Sequence, residues 1–269
     1  MTDATIELAV HGAAGRMGRR VIALATADDA FKVVGAIDHH QHPLLGQDSG
    51  SLAGCDENGV SLSSAWPETC DAVIDFSLPE AVGLAVENCR KLGIPLIVAT
   101  TGLSESTRNA IEQASKEIPI VWAPSMSLAV NLTMKLAQQA AKALKDVPGG
   151  ADIEIIERHH RFKADAPSGT ALKFGELIAN ELDGPINHIH GREGETGQRS
   201  RKEIGYHAVR VGDNTGEHTI VYGMMGETLE LRVASSNRDC YASGSLAAAR
   251  WIQGRSPGLY SMFDVLGLS

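Results

Sequence analysis

The chain has 269 residues, 43% of them hydrophobic, which is enough to bury the core of one large domain or two small ones. Its 33 acidic and 24 basic residues give a net charge of −9, which argues against nucleic-acid binding and against an anionic membrane surface. The 4 cysteines are dispersed without a CxxC pair, and no apolar run approaches the roughly 20 residues of a membrane span, so we expect a cytoplasmic protein.

The first 126 residues alternate short apolar runs with amphipathic stretches. The runs are β-branched and apolar throughout, which is typical of strands buried on both faces of a parallel sheet. Helical patterns lie near residues 16–27, 79–92 and 104–117, and residues 39–65 form a long loop or an irregular excursion. This βαβ repetition predicts an α/β fold with a Rossmann-type, doubly wound parallel sheet. The predicted strands are Ile6–Val10, Val33–Ile37, Ala72–Phe76, Leu96–Ala99 and Ile120–Ala123.

The pattern then changes, and we expect a second, α+β domain over residues 127–240. Its last strands are joined by short polar connections such as Gly212–Gly216, which favours an antiparallel or mixed sheet. Residues 240–253 are Ala-rich and helical, and we expect residues 241–269 to return to the first domain, which otherwise spans 1–126. The elements predicted here are the helix Ser127–Leu144, the strand Ile153–Glu157, the helix Ser168–Leu182 and the strands Tyr206–Val211, His218–Tyr222 and Thr228–Ala234.

The first predicted strand runs into a glycine-rich turn and a helix. Gly12, Gly15 and Gly18 form a GxxGxxG pattern, which permits a tight turn and lets backbone N–H groups approach a pyrophosphate. Arg16 supports an anion there, because a cation in the first turn of a helix is otherwise mildly unfavourable. The second strand ends at Asp38, 20 residues after Gly18, where an acid accepts hydrogen bonds from ribose hydroxyls. These features predict a dinucleotide site, and a purely structural glycine turn is the alternative.

Two further strand ends are expected at the same crevice, because the carboxyl ends of parallel strands line the ligand site. They are residues 99–102 and 123–127, whose small side chains suit close contact with a nicotinamide ribose and ring. Ordinary strand-to-helix turns are the alternative. Asp38 favours NADH, whereas a protonated His39 or His40 tolerates the 2′-phosphate of NADPH, so both cofactors stay open.

Residues 157–170 contain side chains that can move protons. His159 and His160 are adjacent, so in an extended segment their rings point to opposite faces and take different roles. Histidine titrates near neutrality and serves as an acid or a base, and Lys163 donates a proton or pairs with a carboxylate. A solvated basic loop is the alternative for this segment.

The same segment ends in a predicted helix start that suits an anion. Ser168 is the expected N-cap, and Ala171 at position N3 cannot complete a capping box. The N–H groups of Gly169 and Thr170 are then available to a ligand, for which a substrate carboxylate is the natural occupant.

Histidines are numerous, but none of their spacings resembles a zinc motif and no cysteine lies near them, so we predict no metal site. His188 and His190 are expected to be exposed. Arg192 and Arg210 either line the anion pocket or form surface pairs. Arg158 and Arg161 are expected at a surface or an interface.

These residues together resemble the 4-hydroxy-tetrahydrodipicolinate reductase family, also called dihydrodipicolinate reductase, of bacterial lysine and diaminopimelate biosynthesis. The resemblance runs nearly from end to end, and its most specific part is Glu157–Ala171, which reads ERHHRFKADAPSGTA. Shorter matches occur in the same order along the chain, at Gly12–Gly18, Ala99–Gly102, Arg192–Gly197 and Gly216–Thr219.

The resemblance implies that a cyclic imine dicarboxylate is reduced to tetrahydrodipicolinate with NADH, NADPH or both as the reductant. It assigns the acid/base role to His159 and a proton-donor role to Lys163. It also implies a homotetramer joined through the sheet of the second domain. The substrate-binding residues that it implies are His160, Ser168, Gly169 and Thr170. The cofactor-binding residues that it implies are Gly12, Ala13, Ala14, Gly15, Arg16, Met17, Asp38, His39, Ala99, Thr100, Thr101, Gly102, Ala123, Pro124, Ser125 and Met126.

Two positions depart from the family pattern. His39 stands where many relatives carry Arg, which bears on the use of NADPH, and Ser125 stands where the family often has Asn. Two other functions stay open: a two-domain dehydrogenase that acts on another amino or keto acid, and a dinucleotide-sensing module without catalysis.

Overall fold

The computed structural model describes residues 5–269. The chain forms two compact units. The first comprises the residues up to Leu128 together with Arg238–Ser269, and the second is Ala129–Asn237.

The first unit is built on a seven-stranded sheet in which every pair of neighbours is parallel. This confirms the predicted Rossmann-type class. In chain order the strands are β1 (Ile6–His11), β2 (Phe31–Ile37), β3 (Leu62–Ser63), β4 (Ala72–Asp75), β5 (Leu96–Val98), β6 (Pro119–Trp122) and β12 (Gly258–Tyr260). Their order across the sheet is β12-β6-β5-β4-β1-β2-β3.

Helices cover both faces of this sheet, so its strands are apolar on both sides. In β1, Leu8 and Val10 belong to one core cluster, whereas Ala9 between them belongs to the other. This alternation is the period of two of a strand, and it explains why an uninterrupted apolar run folds here. The helices of the first unit are α1 (Arg16–Thr26), α2 (Ser49–Ala53), α3 (Val82–Leu92), α4 (Glu105–Ala114), α7 (Asp239–Trp251) and α8 (Met262–Val265).

The Ala-rich segment near the end of the chain forms α7, which packs in the core cluster of α1. Ala242, Ala249 and Val21 are fully buried in that cluster. Gly244 lets α7 approach the main chain, because a Cβ at this position would lie 1.8 Å from the carbonyl oxygen of Met126.

The second unit contains a five-stranded mixed sheet in the order β11-β10-β7-β9-β8. β10 is antiparallel to β7 and β11, whereas β9 is parallel to β7 and β8. The strands are β7 (Asp152–His159), β8 (Asn187–His190), β9 (Glu203–Arg210), β10 (Glu217–Met224) and β11 (Glu227–Ala234). The helices that accompany them are α5 (Leu128–Leu144), which begins at the boundary of the units, and α6 (Gly169–Ala179).

β9 and β10 run in opposite directions, as their short polar connection predicts, but they do not pair with each other. β7 lies between β9 and β10, because the long connection through α6 and β8 returns the chain parallel to β7. The polar link 211–216 therefore is not a hairpin and crosses the carboxyl end of β7. There Val211 N–H donates to the carbonyl of His159 at 2.9 Å, and Arg161 N–H donates to the carbonyl of Gly212 at 3.0 Å.

We expect Gly244→Ala to lower the free energy of unfolding by about 1–3 kcal/mol, because the added methyl forces two main-chain segments apart. Urea unfolding followed by circular dichroism measures the change. Gly83→Ala in α3 is the matched control, since a Cβ there meets no atom within 4 Å. The control should gain roughly 0.4–1 kcal/mol. Equal midpoints for Gly244→Ala and the wild type would refute the close approach.

Candidate active site

The strand order of the first unit's sheet reverses between β1 and β4: β2 and β3 follow on one side of β1, and β4, β5 and β6 follow on the other. Ligands of open parallel sheets bind at the carboxyl ends of the strands at such a point. A cleft of about 650 Å³ lies there. The predicted cofactor residues that line it are Gly12, Ala14, Gly15, Asp38 and His39.

The glycine-rich turn brings the strand and the helix closer together than a side chain would allow. Gly12 has a φ of +76°, and a Cβ there would lie 2.7 Å from the carbonyl oxygen of Phe76. A Cβ at Gly18 would lie 2.1 Å from the carbonyl oxygen of Gly12, so α1 can begin directly after the turn only with glycine there. The N-terminus of α1, at Arg16, thus sits beside the cleft with N–H groups that favour an anion.

Asp38 follows β2 and its carboxylate ties the second strand end to the turn. Oδ2 accepts a hydrogen bond from the N–H of Ala14 at 2.9 Å, and Oδ1 accepts one from the N–H of His39 at 2.8 Å. His39 and His40 are exposed beside it, with ring centroids 4.2 Å apart. The acid is therefore held at the cleft edge, with imidazoles rather than a permanent cation next to it.

The other predicted cofactor residues do not line this cleft. The buried ones are Ala13, Ala99, Thr100, Ala123, Ser125 and Met126, and the half-buried or exposed ones are Met17, Arg16, Thr101, Gly102 and Pro124.

A buried polar group beneath the cleft was missed by the sequence analysis. His11 Nδ1 lies 2.6 Å from Asp75 Oδ1, and the Thr100 hydroxyl donates to Asp75 Oδ2 at 2.7 Å. All three side chains are buried at neighbouring strand ends. The available signal was a polar residue at the last position of a strand whose three preceding residues are apolar, which occurs in both β1 and β4.

In the second unit His159 is the last residue of β7, and its ring is largely buried. Its Nδ1 lies 2.5 Å from Glu157 Oε2, so Nδ1–H donates to the carboxylate and Nε2 is the atom left for proton transfer. Burial lowers the pKa of His159. The carboxylate of Glu157 opposes this effect, and the cations Lys163 and Arg210 add to the lowering.

Glu157 is a fully buried carboxylate that four hydrogen-bond donors surround. Arg210 donates to both of its oxygens at 2.8 Å, and the N–H of Ser168 donates to Oε1 at 3.0 Å. Burial raises the pKa of Glu157, but the hydrogen bonds from Arg210 and His159 outweigh it and the pKa stays below its ordinary value. Glu157 is therefore ionised at neutral pH and orients His159.

Ser168 is the N-cap of α6, as predicted, and its Oγ accepts a hydrogen bond from the N–H of Ala171 at 3.2 Å. The same Oγ lies 3.0 Å from Nε2 of His218, whose ring contacts that of His159 edge to face. Burial lowers the pKa of His218 to about 4, so this ring is neutral at neutral pH. His218 thus fixes the helix start without adding charge to it.

The first turn of α6 begins with Gly169, which is exposed, and the half-buried Thr170. Their N–H groups belong to the donors that no preceding helical turn can satisfy. The helix start is thus oriented by Ser168 and remains open to an anion.

Lys163 and His160 lie in the segment between β7 and α6. Lys163 Nζ donates to Asp165 Oδ1 at 2.8 Å, and the N–H of Lys163 donates to the carbonyl of His160 at 3.1 Å. His160 Nδ1 is buried and has no hydrogen-bond partner within residues 5–269. A buried polar atom without a partner is costly, and this one suits a ligand.

The other candidate cations pair with carboxylates of the sheet. Arg192 donates to Glu154 and Glu203, and Arg158 lies 3.3 Å from Glu217. Arg161 is exposed. Arg210, by contrast, donates to Glu157 and to the carbonyl of Asp165, both in the signature segment (Glu157–Ala171).

Glu157 and His218, like the group below the cleft, were not singled out by sequence reasoning. The spacing of Glu157 and His159 was a usable signal, because residues two apart on a strand share a face. His218 gave no such signal, since its partner Ser168 lies 50 residues away.

Within residues 5–269 no three side chains are arranged to hold a metal ion. None of the helices in that part of the chain is long and apolar enough to cross a membrane. The groups present offer an anion-binding turn with an acid beside it, and a histidine, a lysine and a helix start for a carboxylated ligand. These are the elements of a reduction completed by proton transfer.

Models of two family regions match the chain. The one described as "Dihydrodipicolinate reductase, N-terminus" covers residues 6–126, and the one described as "Dihydrodipicolinate reductase, C-terminus" covers residues 129–266.

Proteins and structures of similar sequence or fold carry related names. A 4-hydroxy-tetrahydrodipicolinate reductase of Rhodopirellula baltica is 65% identical, over 100% of this chain and 99% of the relative. One from Alkalilimnicola ehrlichii is 46% identical, over 98% of this chain and 100% of the relative. The structure of a dipicolinate-bound dihydrodipicolinate reductase from Paenisporosarcina sp. TG-14 has a TM-score of 0.77 at 24% identity, over 97% of this chain and 98% of that one. These matches confirm the resemblance drawn from the sequence, and the chain belongs to the dihydrodipicolinate reductase family.

Proposed function

We propose that the protein reduces the cyclic imine dicarboxylate derived from 4-hydroxy-tetrahydrodipicolinate to tetrahydrodipicolinate, with NADH or NADPH as reductant. The observation that carries this proposal is the pair of His159 and buried Glu157, 2.5 Å apart, in the signature segment that leads to the start of α6. Relatives at 65% and 46% identity bear the name of this reductase.

His159 holds the proton that the reduced substrate needs. Glu157 accepts the Nδ1–H of His159, so Nε2 faces away from the carboxylate and is the atom that transfers the proton. Burial keeps the pKa of His159 below its ordinary value, which makes the imidazolium a stronger acid. Lys163 is the second cation at this site and donates a proton or balances substrate charge.

The substrate carboxylates bind to His160 and to the start of α6. His160 has a buried Nδ1 without a partner in the described residues, and a carboxylate oxygen satisfies it. Gly169 and Thr170 offer first-turn N–H groups, and Ser168 holds them in place through its cap. The ion pair of Lys163 with the exposed Asp165 is weak enough to yield to a substrate carboxylate.

The dinucleotide binds in the cleft of the first unit, because the Gly12 turn and the N-terminus of α1 fit a pyrophosphate and Asp38 fits a ribose. The remaining predicted contacts, at residues 99–102 and 123–126, are proposed for the nicotinamide end. When bound, the dinucleotide supplies the hydride.

NADH is the preferred reductant in this proposal. Both oxygens of Asp38 accept main-chain hydrogen bonds, so its negative charge is held at the cleft edge, where a 2′-phosphate would be repelled. His39 offsets this repulsion only when it is protonated.

The first unit is thus the proposed dinucleotide-binding domain, and the second the proposed domain for substrate and for assembly into a homotetramer. The described cysteines are all free thiols, which supports a reducing, cytoplasmic setting.

The decisive assay follows NADH absorbance after addition of freshly prepared cyclic imine, with pyruvate and other keto or amino acids in parallel. Oxidation of NADH with the imine alone supports the proposal. Oxidation with another acid instead, or dinucleotide binding without turnover on any of them, contradicts it.

We expect His159→Gln and Lys163→Ala each to lower kcat by about 10²–10⁴-fold, because positioned acid catalysis contributes that much. NADH affinity, measured by fluorescence titration, should stay near the wild-type value. His190→Gln on β8 and Lys173→Ala on α6 are the matched controls and should keep the wild-type kcat. Near-normal kcat in both active-site variants would contradict the assignment.

We expect His39→Arg to raise kcat/KM for NADPH relative to NADH by about tenfold or more, because a permanent guanidinium pairs with the 2′-phosphate. Steady-state kinetics with both cofactors at one pH measure the ratio. His190→Arg makes the same change on β8 and should leave the ratio unchanged. An unaltered ratio in His39→Arg would exclude this residue from cofactor choice.

A further inference from the structure

Arg210 enters the site from β9, and its guanidinium is nearly surrounded by acceptors. One terminal nitrogen donates to Glu157 Oε2 at 2.8 Å and to the carbonyl of Val209 at 2.9 Å. The other donates to Glu157 Oε1 at 2.8 Å and to the carbonyl of Asp165 at 2.6 Å. Both terminal nitrogens are thus committed to protein acceptors, and Nε, which is buried, is the one donor of this side chain without a partner within residues 5–269.

One set of these contacts leads to His159. The two-pronged pair of Arg210 and Glu157 fixes the plane of a fully buried carboxylate. That carboxylate in turn accepts from His159 Nδ1 at 2.5 Å. Rotation of the guanidinium therefore moves the acceptor that defines the tautomer and direction of the His159 ring.

The other contact leads to Lys163. Arg210 donates a hydrogen bond to the main-chain carbonyl of Asp165. The side-chain carboxylate of Asp165 accepts a hydrogen bond from Lys163 Nζ at 2.8 Å. His159 and Lys163, the two proposed proton donors, are thus each linked to the Arg210 guanidinium through one intervening residue.

We propose that Arg210 is a positioning residue that holds His159, through Glu157, and Lys163, through Asp165, in one fixed arrangement. The proposal rests on the proposed function, because it assigns Arg210 a role in delivering protons there. It separates Arg210 from Arg192, which pairs with Glu154 and Glu203 elsewhere in the sheet.

The charges around His159 predict opposite effects for the two members of the pair. Glu157 on β7 and Arg210 on β9 face the ring, with Lys163 and Asp165 on the following segment. On β10, His218 contacts the ring and Glu217 precedes it. Loss of the Arg210 charge leaves Glu157 uncompensated and stabilises the imidazolium, whereas loss of the Glu157 charge destabilises it.

The test compares Arg210→Gln, Glu157→Gln and the double variant. Because His159 must be protonated to donate, kcat falls as pH rises through its pKa in the complex. The alkaline limb of the plot of kcat against pH should shift to higher pH by about one unit in Arg210→Gln and to lower pH by about one unit in Glu157→Gln. In both, kcat at its optimum should fall by about ten- to a hundredfold. The KM for NADH should remain that of the wild type.

The double variant keeps the experiment informative if a single variant leaves a buried charge and fails to fold. It replaces both charges with neutral amides, so it should fold and place the limb between those of the single variants. Arg192→Gln is the matched control: it removes the same kind of two-pronged pair from the same sheet and should leave the limb in place. Limbs that stay at the wild-type pH in all variants, with kcat reduced, would show a merely structural role and overturn the proposal.

Titration of the His159 ring by NMR, assigned through His159→Gln, separates this proposal from the proposed function. Opposite shifts of the His159 pKa in the two single variants support the role of Arg210 even if the wild type does not reduce the imine. Shifts in the same direction, or none, overturn it even if the imine is the substrate.

Discussion

The second unit depends on one buried negative charge. A carboxylate without exposed surface is tolerated only when hydrogen bonds and an opposite charge replace the water that it has lost. Glu157 obtains these from His159 on its own strand, from Arg210 on the parallel neighbour and from the N–H of Ser168 at the start of α6. The same contacts that keep the ion stable therefore hold a strand, its neighbour and a helix start in register around the signature segment.

The first unit solves a similar problem in the same way. His11 ends β1 as His159 ends β7, and each histidine presents Nδ1 to a fully buried carboxylate, Asp75 in one case and Glu157 in the other. Strand ends are suitable places for such pairs, because the strands position the groups rigidly while the apolar sheet ends just behind them. In the first unit the pair lies beneath the cleft proposed for the dinucleotide, and in the second it orients the proposed proton donor.

The mixed sheet brings residues distant in sequence to this centre. If β9 and β10 formed a hairpin, Arg210 would lie beside β10 and could not reach Glu157. Insertion of β7 between them places Arg210 on one side of Glu157 and His218 on the other. The link over residues 211–216 then has to cross the end of β7, where it contacts the main chain of His159 and closes the site.

The sequence by itself determined the parts that rest on local patterns. Uninterrupted apolar runs identified the parallel sheet, Gly12 and Gly18 identified the turn that only glycine can make, and Ser168 identified the start of α6. The segment 157–170, with its resemblance, identified the family. Each of these follows from residues a few positions apart, whose spacing is set by strand and helix geometry.

Only the tertiary structure decided how the polar side chains share their partners. Arg210 read equally well as a ligand for an anion or as a surface residue, because nothing near it in the chain shows that it faces a buried carboxylate 53 residues away. The same holds for Asp75 beneath the cleft and for the parallel pairing of β9. Strand order and burial set these contacts, and both arise from packing between segments that are remote in the sequence.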